Sequence, residues 1–188
     1  MSWWRPSAAV LLTVALLACG SDDEVGEGTV QSDLPDEIIT GFVTEESDSG
    51  YTQWRLSAPI ARRFNQKKVF LMDSPTIQFF DENGQLKTTL VAQNGEYSQE
   101  SHDMFVYGDV VGTSLDGDVL ETDTLRYLNV EDKIVSDSFV RLTRGNNVMT
   151  GYGLEADNRL SAVDIKRNVK ATLVDEDDRS REEAGIDG

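Results

Sequence analysis

Three features of the sequence predict an all-β fold. Apolar and polar residues alternate at period two over short runs, glycine- and asparagine-bearing turns separate those runs, and one plan recurs four times. In each copy an apolar residue stands two before a small or hydroxyl-bearing one: Leu56 and Ala58, Leu90 and Ala92, Leu120 and Thr122, Met149 and Gly151. Three residues further on comes Ala61, Gly95, Leu125 or Leu154, and a second strand is under way at Thr76, Val110, Val140 and Val169. The copies lie 34, 30 and 29 residues apart, with the variation falling in the turns, and residues 90–114 carry the plan most clearly. Strand–turn–strand units at this spacing suit a β-sandwich or a twisted, open β jelly roll built from repeated strand pairs; a β-solenoid is the rival.

Residues 38–43 form a candidate first strand, weakened by Gly41. In residues 51–58, Trp54, Leu56 and Ala58 share one face and Gln53, Arg55 and Ser57 the other, the pattern of a half-buried strand. Pro59 offers no amide to a ladder and is expected to end it. The next pair covers 67–72 and 76–81, interrupted at Ser74-Pro75, and Asp81-Glu-Asn-Gly84 is a hairpin signal because Asn-Gly accepts positive φ cheaply. Strands follow over 86–92, 104–115, 119–128, 133–143, 148–156 and 162–174, with turns at Asp116-Gly117, 129–132 and Arg144-Gly-Asn-Asn147. No stretch carries apolar residues at 3.6 spacing over three turns, so little helix is expected.

The chain has 188 residues, a formal net charge of −17 and one cysteine. That acidity disfavours nucleic acid, whose phosphates it would repel. A lone Cys19 excludes an internal disulfide framework and a cysteine-built zinc site. At the N-terminus Arg5 precedes an eleven-residue apolar run, 8–18, too short to span a bilayer and suited to a secretory signal. The run ends Leu16-Leu17-Ala18-Cys19-Gly20, which resembles the lipobox of bacterial lipoproteins. Cleavage before Cys19 would leave its thiol to take up diacylglycerol and so anchor the protein to a membrane. The expected organisation is a lipoprotein signal at 1–18, a lipidated N-terminus and acidic tether at 19–40, a β-domain at 41–174 and a disordered acidic tail at 175–188.

The sequence offers no catalytic constellation. His102, the single histidine, stands in the polar run Gln99-Glu-Ser-His-Asp103 and reads as a solvated turn residue, which leaves a Ser/His/Asp triad without a base. Carboxylate pairs such as Asp22-Asp23, Glu45-Glu46 and Asp177-Asp178 read as solvated surface rather than as a glycosidase pair. Asp116-Gly-Asp118 lacks the spacing and terminal glutamate of a calcium loop, and Gly151-Tyr-Gly153 lacks the third glycine and helix of a phosphate loop. Neither cofactor nor metal is expected. The reading is non-enzymatic.

Residues 51–174 resemble the LptC family, the periplasmic component of the lipopolysaccharide export machinery. The resemblance is carried in order by Leu56-Ser-Ala58 with Ala61, Asp73-Ser-Pro75, Phe79-Phe-Asp-Glu-Asn-Gly84, Leu90-Val-Ala92, and Gly95 with Tyr97. It continues through Tyr107-Gly-Asp-Val110, Leu120-Glu-Thr-Asp123, Leu125 with Tyr127, Ile134-Val-Ser-Asp137 and Gly151-Tyr-Gly-Leu154. It implies a twisted jelly roll that takes lipopolysaccharide from an inner-membrane ABC transporter of the LptB/LptF/LptG type. Acyl chains would rest in an apolar interior and pass to an LptA-like bridge protein by edge-strand pairing. The better-known members keep an N-terminal transmembrane helix where this chain has a lipobox. A lipid anchor on the inner membrane would serve the same purpose, whereas sorting to the outer membrane would count against the assignment.

From the apolar phase of each strand, the candidate lipid-lining residues are Trp54, Leu56, Leu71, Ile77, Phe79, Leu90, Met104, Val106, Leu120, Ile134, Leu142 and Met149. Ordinary core packing is the competing role for each. Val169, Ala171 and Leu173 are the candidate edge offered to the bridge protein. The alternatives are a structural or adhesive surface lipoprotein with a closed sandwich core and, from a different class, a carbohydrate-active enzyme on a β scaffold.

Overall fold

A computed structural model of the chain describes residues 34–172, and every regular element among them is a β-strand. In chain order these are β1 (Glu37–Asp48), β2 (Tyr51–Phe64), β3 (Val69–Asp73), β4 (Thr76–Phe80), β5 (Leu86–Val91) and β6 (Asn94–Ser98). They continue with β7 (Met104–Ser114), β8 (Val119–Leu128), β9 (Lys133–Arg144), β10 (Asn147–Asp157) and β11 (Val163–Thr172). All belong to one sheet of 11 strands, and every pairing in it is antiparallel. Stacked solenoid coils pair in parallel, so the solenoid is excluded.

β3 and β4 are two halves of one run. Ile60 faces Asp73 and Ser57 faces Thr76, so the same register against β2 is kept on both sides of Ser74-Pro75. β5 and β6 are likewise one run, since Thr76 faces Val91 and Asp73 faces Asn94 across the gap at Ala92-Gln93. Neighbouring strands carry a break at the same level: Gly41 with φ +67°, Pro59, Ser74 with φ +49°, and Gly108 and Asp109 with φ +78° and +47°. Further along, the ladder slips between Thr122 and Arg126 on β8 and between Tyr152 and Leu154 on β10.

This line of breaks explains the internal repeat. Along β2 the buried residues are Trp54, Leu56 and Ala58, and then Ala61 and Phe64; along β8 they are Leu120 and Thr122, then Leu125 and Tyr127. One extra residue at the break reverses which residues face inward, and the step of three after a step of two is that reversal written in sequence. Thr122 is retained at the break for a second reason. Its Oγ1 donates to the Phe139 carbonyl at 2.8 Å where the ladder has slipped.

The breaks fold the sheet onto itself, so that one half of each run faces the other half of its neighbours. Trp54, early in β2, meets Tyr97, late in the β5–β6 run, at 5.9 Å between ring centroids. Phe79 meets Tyr127 at 4.9 Å and Phe42 meets Phe70 at 4.8 Å in the same crossed sense. The result is a flattened roll with a single apolar interior, which contains Trp54, Leu56, Ile77, Phe79, Leu90, Met104, Leu120, Leu125, Tyr127, Ile134 and Leu142. Each such side chain contributes about 1.5–3 kcal/mol by leaving water, which is what holds a sheet of this size closed.

Three sequence expectations are corrected. Pro59 does not end its strand: register places it opposite Gly41 on one side and Ser74 on the other, where both neighbours are already broken, so β2 continues to Phe64. β1 does not stop at residue 43, where the candidate first strand ended: it runs from Glu37 to Asp48, because its backbone pairs with β2 from Arg63 to Tyr51. β6 was not expected at all, since Asn94-Gly-Glu-Tyr-Ser98 carries one large apolar side chain. It forms because β3 and β7 supply partners on both sides.

Two outcomes follow. Asp81 Oδ1 accepts from the amides of Asn83 and Gln85, both at 2.9 Å, and Oδ2 meets Lys87 Nζ at 2.9 Å. The hydrogen bond from Lys87, and next the Gln85 amide, lower its pKa from 3.8 to about 2. A depressed carboxyl pKa gives stability that is present above 3.8 and lost as pH falls towards 2. Asp81→Asn should therefore lower Tm at neutral pH and flatten the fall in Tm across that window, measured by thermal melts from pH 6 to pH 2. Gly151 is the second case: a Cβ there would lie 2.7 Å from the Arg167 carbonyl oxygen and 2.5 Å from Ile165 Cγ2. Gly151→Ala should cost about 1–3 kcal/mol in urea unfolding, with the loss of amide protection greatest in β11.

Candidate functional site

The inward face is one continuous apolar surface that crosses every run of the sheet. Of the twelve residues expected to line it, Trp54, Leu56, Ile77, Phe79, Leu90, Met104, Val106, Leu120, Ile134 and Leu142 are all in the buried core. Met149 is partly buried and packs against that core. Leu71 differs, because Phe70 and Met72 on β3 point inward and leave Leu71 on the opposite phase of the strand. The break at Ser74-Pro75 shifts the phase between β3 and β4, and alternation counted back from Ile77 through it selects the wrong residue.

The interior is filled. Trp54, Leu56, Leu120, Ile134 and Leu142 have no exposed surface, and two of the hollows border the core from outside, at Ala156 and at Val110. One of about 650 Å³ opens beside the β10–β11 turn, lined by polar residues such as Glu131, Lys133 and Asp157 together with Ala156, Ala162 and Val163. A smaller one, of about 300 Å³, lies between Asp109, Glu121, Phe139 and Arg141.

Polar groups gather where strand ends meet across the two layers. Trp54 Nε1 donates to Asn129 Oδ1 at 3.0 Å, and Asn129 Nδ2 reaches Glu46 Oε2 at 3.3 Å. His102 Nδ1 lies 2.9 Å from the same Glu46 oxygen, and the Asn129 amide donates to Asp103 Oδ1 at 2.9 Å. His102 thus sits in the turn expected of it, with φ +60°, but as part of a network that ties β1 to the β6–β7 and β8–β9 turns. Tyr127 donates to Asp132 Oδ1 at 2.9 Å, and burial first, then the Asp132 charge, push its phenol pKa well up, so it remains a donor. At another point Arg144 donates to Asp118 Oδ2 and to the Leu160 carbonyl, both at 2.5 Å. Asn129 and Arg144 stand in stretches that the sequence marks as turns and Leu160 between two predicted strands, and nothing in their spacing marks them.

Several of the surface carboxylates are engaged by cations. Glu45 pairs with Arg55, Asp73 with Arg62 through two hydrogen bonds of 2.8 Å, and Glu155 with Lys133 and Lys166. Asp118, in the loop compared with a calcium site, takes Arg144, and no cluster of metal-ligating side chains occurs among the described residues.

Both ends of the sheet carry a strand with one unpaired edge among the described residues, β1 and β11. On β11 only Val163 and Ile165 pack against the core; Val169 is 54% exposed and Ala171 is exposed. Leu173, Cys19, the signal segment, most of the tether and the acidic tail lie outside the described residues.

No curated protein sequence matches the chain. Its fold is similar to that of LptH, the LptA homologous periplasmic component of the conserved lipopolysaccharide transport device from Pseudomonas aeruginosa, at a TM-score of 0.51. The two share 12% identity over 65% of this chain and 95% of the other, so the likeness is one of fold. The model of the family described as lipopolysaccharide-assembly, LptC-related, matches residues 7–174, which takes in every strand as well as the apolar N-terminal run. The protein belongs to the LptC-related family.

Proposed function

We propose that the protein is a membrane-anchored, non-enzymatic carrier that shelters the acyl chains of lipopolysaccharide inside its folded sheet. In this reading an inner-membrane ABC transporter loads it, and it unloads to an LptA-like bridge protein. Family membership makes it a component of periplasmic lipopolysaccharide transport. The observation that carries the finer reading is the unbroken apolar face spanning all runs, with an unpaired strand at each end.

Physical chemistry supports shelter of the chains rather than recognition of the head group. Hydrocarbon leaving water gains about 0.8 kcal/mol per methylene without directed contacts. The exterior carries an excess of acids, and cations such as Arg55, Arg62 and Lys166 are engaged by carboxylates, so phosphates find little to hold them. Because the interior is filled without lipid, uptake requires the two layers to part and an alkyl chain to take the place of side-chain contacts. That exchange replaces apolar neighbours with apolar neighbours, and its net cost is small compared with opening an empty slot. Transfer to the bridge protein is assigned to the β11 edge at Val169 and Ala171, with Leu173 beyond, where an added strand would continue the sheet.

The filled core also favours a second reading, a structural lipoprotein whose sheet never opens. A photo-crosslinking residue in cells separates the two. Placed at Leu90 or Leu142 it should give lipopolysaccharide adducts, while at Arg141, on the outward phase of β9, it should give few. Folded protein that gives no adduct at any inward position removes the carrier reading. The anchor is tested separately: Cys19→Ser should abolish incorporation of labelled palmitate and release the protein from the membrane fraction, and a variant still membrane-bound and labelled would rule out Cys19 as the lipid site.

A further inference from the structure

We propose that the β10–β11 turn, residues 157–162, is a lid that plugs the interior with Leu160 and is latched shut by Arg144. The proposal rests on the carrier reading and adds to it the point at which the closed interior opens.

Leu160 belongs to a surface turn, yet it is 0% exposed and counts among the core residues. Its backbone is left-handed, φ +56°, a conformation that residues other than glycine, asparagine and aspartate seldom adopt unless their surroundings impose it. Its seat is on the opposite layer. A Cβ at Gly112 of β7 would lie 3.4 Å from Leu160 Cδ1, 2.7 Å from Leu90 Cδ2 and 3.6 Å from Leu120 Cβ. Glycine at 112 thus makes room for Leu160 between two leucines of the lipid-facing surface. A branched four-carbon group occupies the place where a stretch of alkyl chain would fit.

The turn is held to that layer through one side chain. Arg144, at the end of β9, joins three elements. Nε donates to Asp118 Oδ2 at 2.5 Å in the β7–β8 turn, and Nη2 donates to the carbonyls of Leu160 at 2.5 Å and Ser161 at 3.4 Å. The turn's remaining bonds are mostly its own. The Leu160 amide donates to the Asp157 carbonyl at 3.1 Å, the Ala162 amide to Asp157 Oδ1 at 3.0 Å, and Ser161 Oγ to Asp157 Oδ2 at 2.5 Å. Asn158 adds one contact to Asp132 at 2.7 Å. With so few bonds to the rest of the sheet the turn can open by giving up its own bonds at Asp157, and the 650 Å³ hollow alongside gives it room to swing out. A strained backbone, a plug and a single latch make a two-state element. Freeing the latch allows the backbone to relax outward and vacates the seat between Leu90 and Leu120.

Hydrogen exchange on the full chain, with and without lipopolysaccharide, tests this together with a lipopolysaccharide-binding titration. Arg144→Gln should speed exchange of the Leu160 and Ala162 amides about tenfold while the centre of β8 stays protected. Because apparent affinity scales with the open fraction, Arg144→Gln and Leu160→Ala should each tighten lipopolysaccharide binding by up to about tenfold. Lipopolysaccharide should also speed the same two amides in the wild type. Unchanged exchange in Arg144→Gln overturns the latch. Faster exchange with binding equal to the wild type's in both variants overturns the plug. If wild type and variants all remain folded by circular dichroism and none binds lipopolysaccharide, the carrier reading itself fails and the plug with it.

Discussion

The architecture depends on the alignment of mid-strand breaks across neighbouring strands. A break in one strand of a flat sheet leaves backbone groups unpaired on both neighbours, a cost that forbids isolated interruptions in a buried ladder. Here the cost is shared. Pro59, which cannot donate, stands between Gly41 and Ser74, both left-handed, and Thr122 supplies a hydroxyl to the Phe139 carbonyl where the ladder slips. Because the breaks share one level, the sheet bends there as a whole. Its apolar face turns inward over the full width, and a roll forms without any connection crossing it.

Once the sheet is bent, each layer is covered by the other, and the aromatic pairs show how closely. Trp54 on Tyr97 and Phe79 on Tyr127 each join residues from opposite halves of their runs. The tips are where such a roll would otherwise gape, and two polar groups hold them: Glu46 with His102 and Asn129, and Arg144 with Asp118 and the Leu160 carbonyl. Both are partly solvated, which makes each worth little energetically compared with the core. Their value is positional. They decide which tips meet, while apolar burial supplies the force that keeps them together.

The sequence made the fold class and most of the inward face readable because both are local. Period two marks a strand, so Trp54, Leu56, Leu90 and Leu120 could be placed on an inward face without coordinates. The same logic failed where the break itself had to be located first. Leu71 lies on the outward phase because the break at Ser74-Pro75 shifts the alternation between β3 and β4, and Pro59 can sit within a strand because its neighbours are broken at the same level, which its own strand does not reveal. β6 was missed because Asn94-Gly-Glu-Tyr-Ser98 has little strand preference, and its pairing with β3 and β7 is decided 25 residues upstream and several downstream. Leu160 and Arg144 were unreadable for a related reason: a leucine in a turn and an arginine at a strand end acquire meaning only when folding brings them onto Gly112 and Asp118.

A permanently open hydrocarbon groove would be a liability for a chain resident in water, since a large uncovered apolar surface invites association with other proteins or collapse. A self-filled interior avoids this. Side chains such as Leu90, Leu120 and Leu160 satisfy one another through non-directional contacts, and an alkyl chain offers contacts of the same kind. A core stitched by buried hydrogen bonds could not make that exchange, because each parted donor or acceptor would be left unpaired at a cost of about 1–3 kcal/mol. Here the directed bonds are concentrated at the line of breaks and at the strand tips, and the inward surface between them is almost entirely hydrocarbon. In the carrier reading proposed above, that separation lets the two layers part between spine and tips without leaving donors or acceptors unpaired.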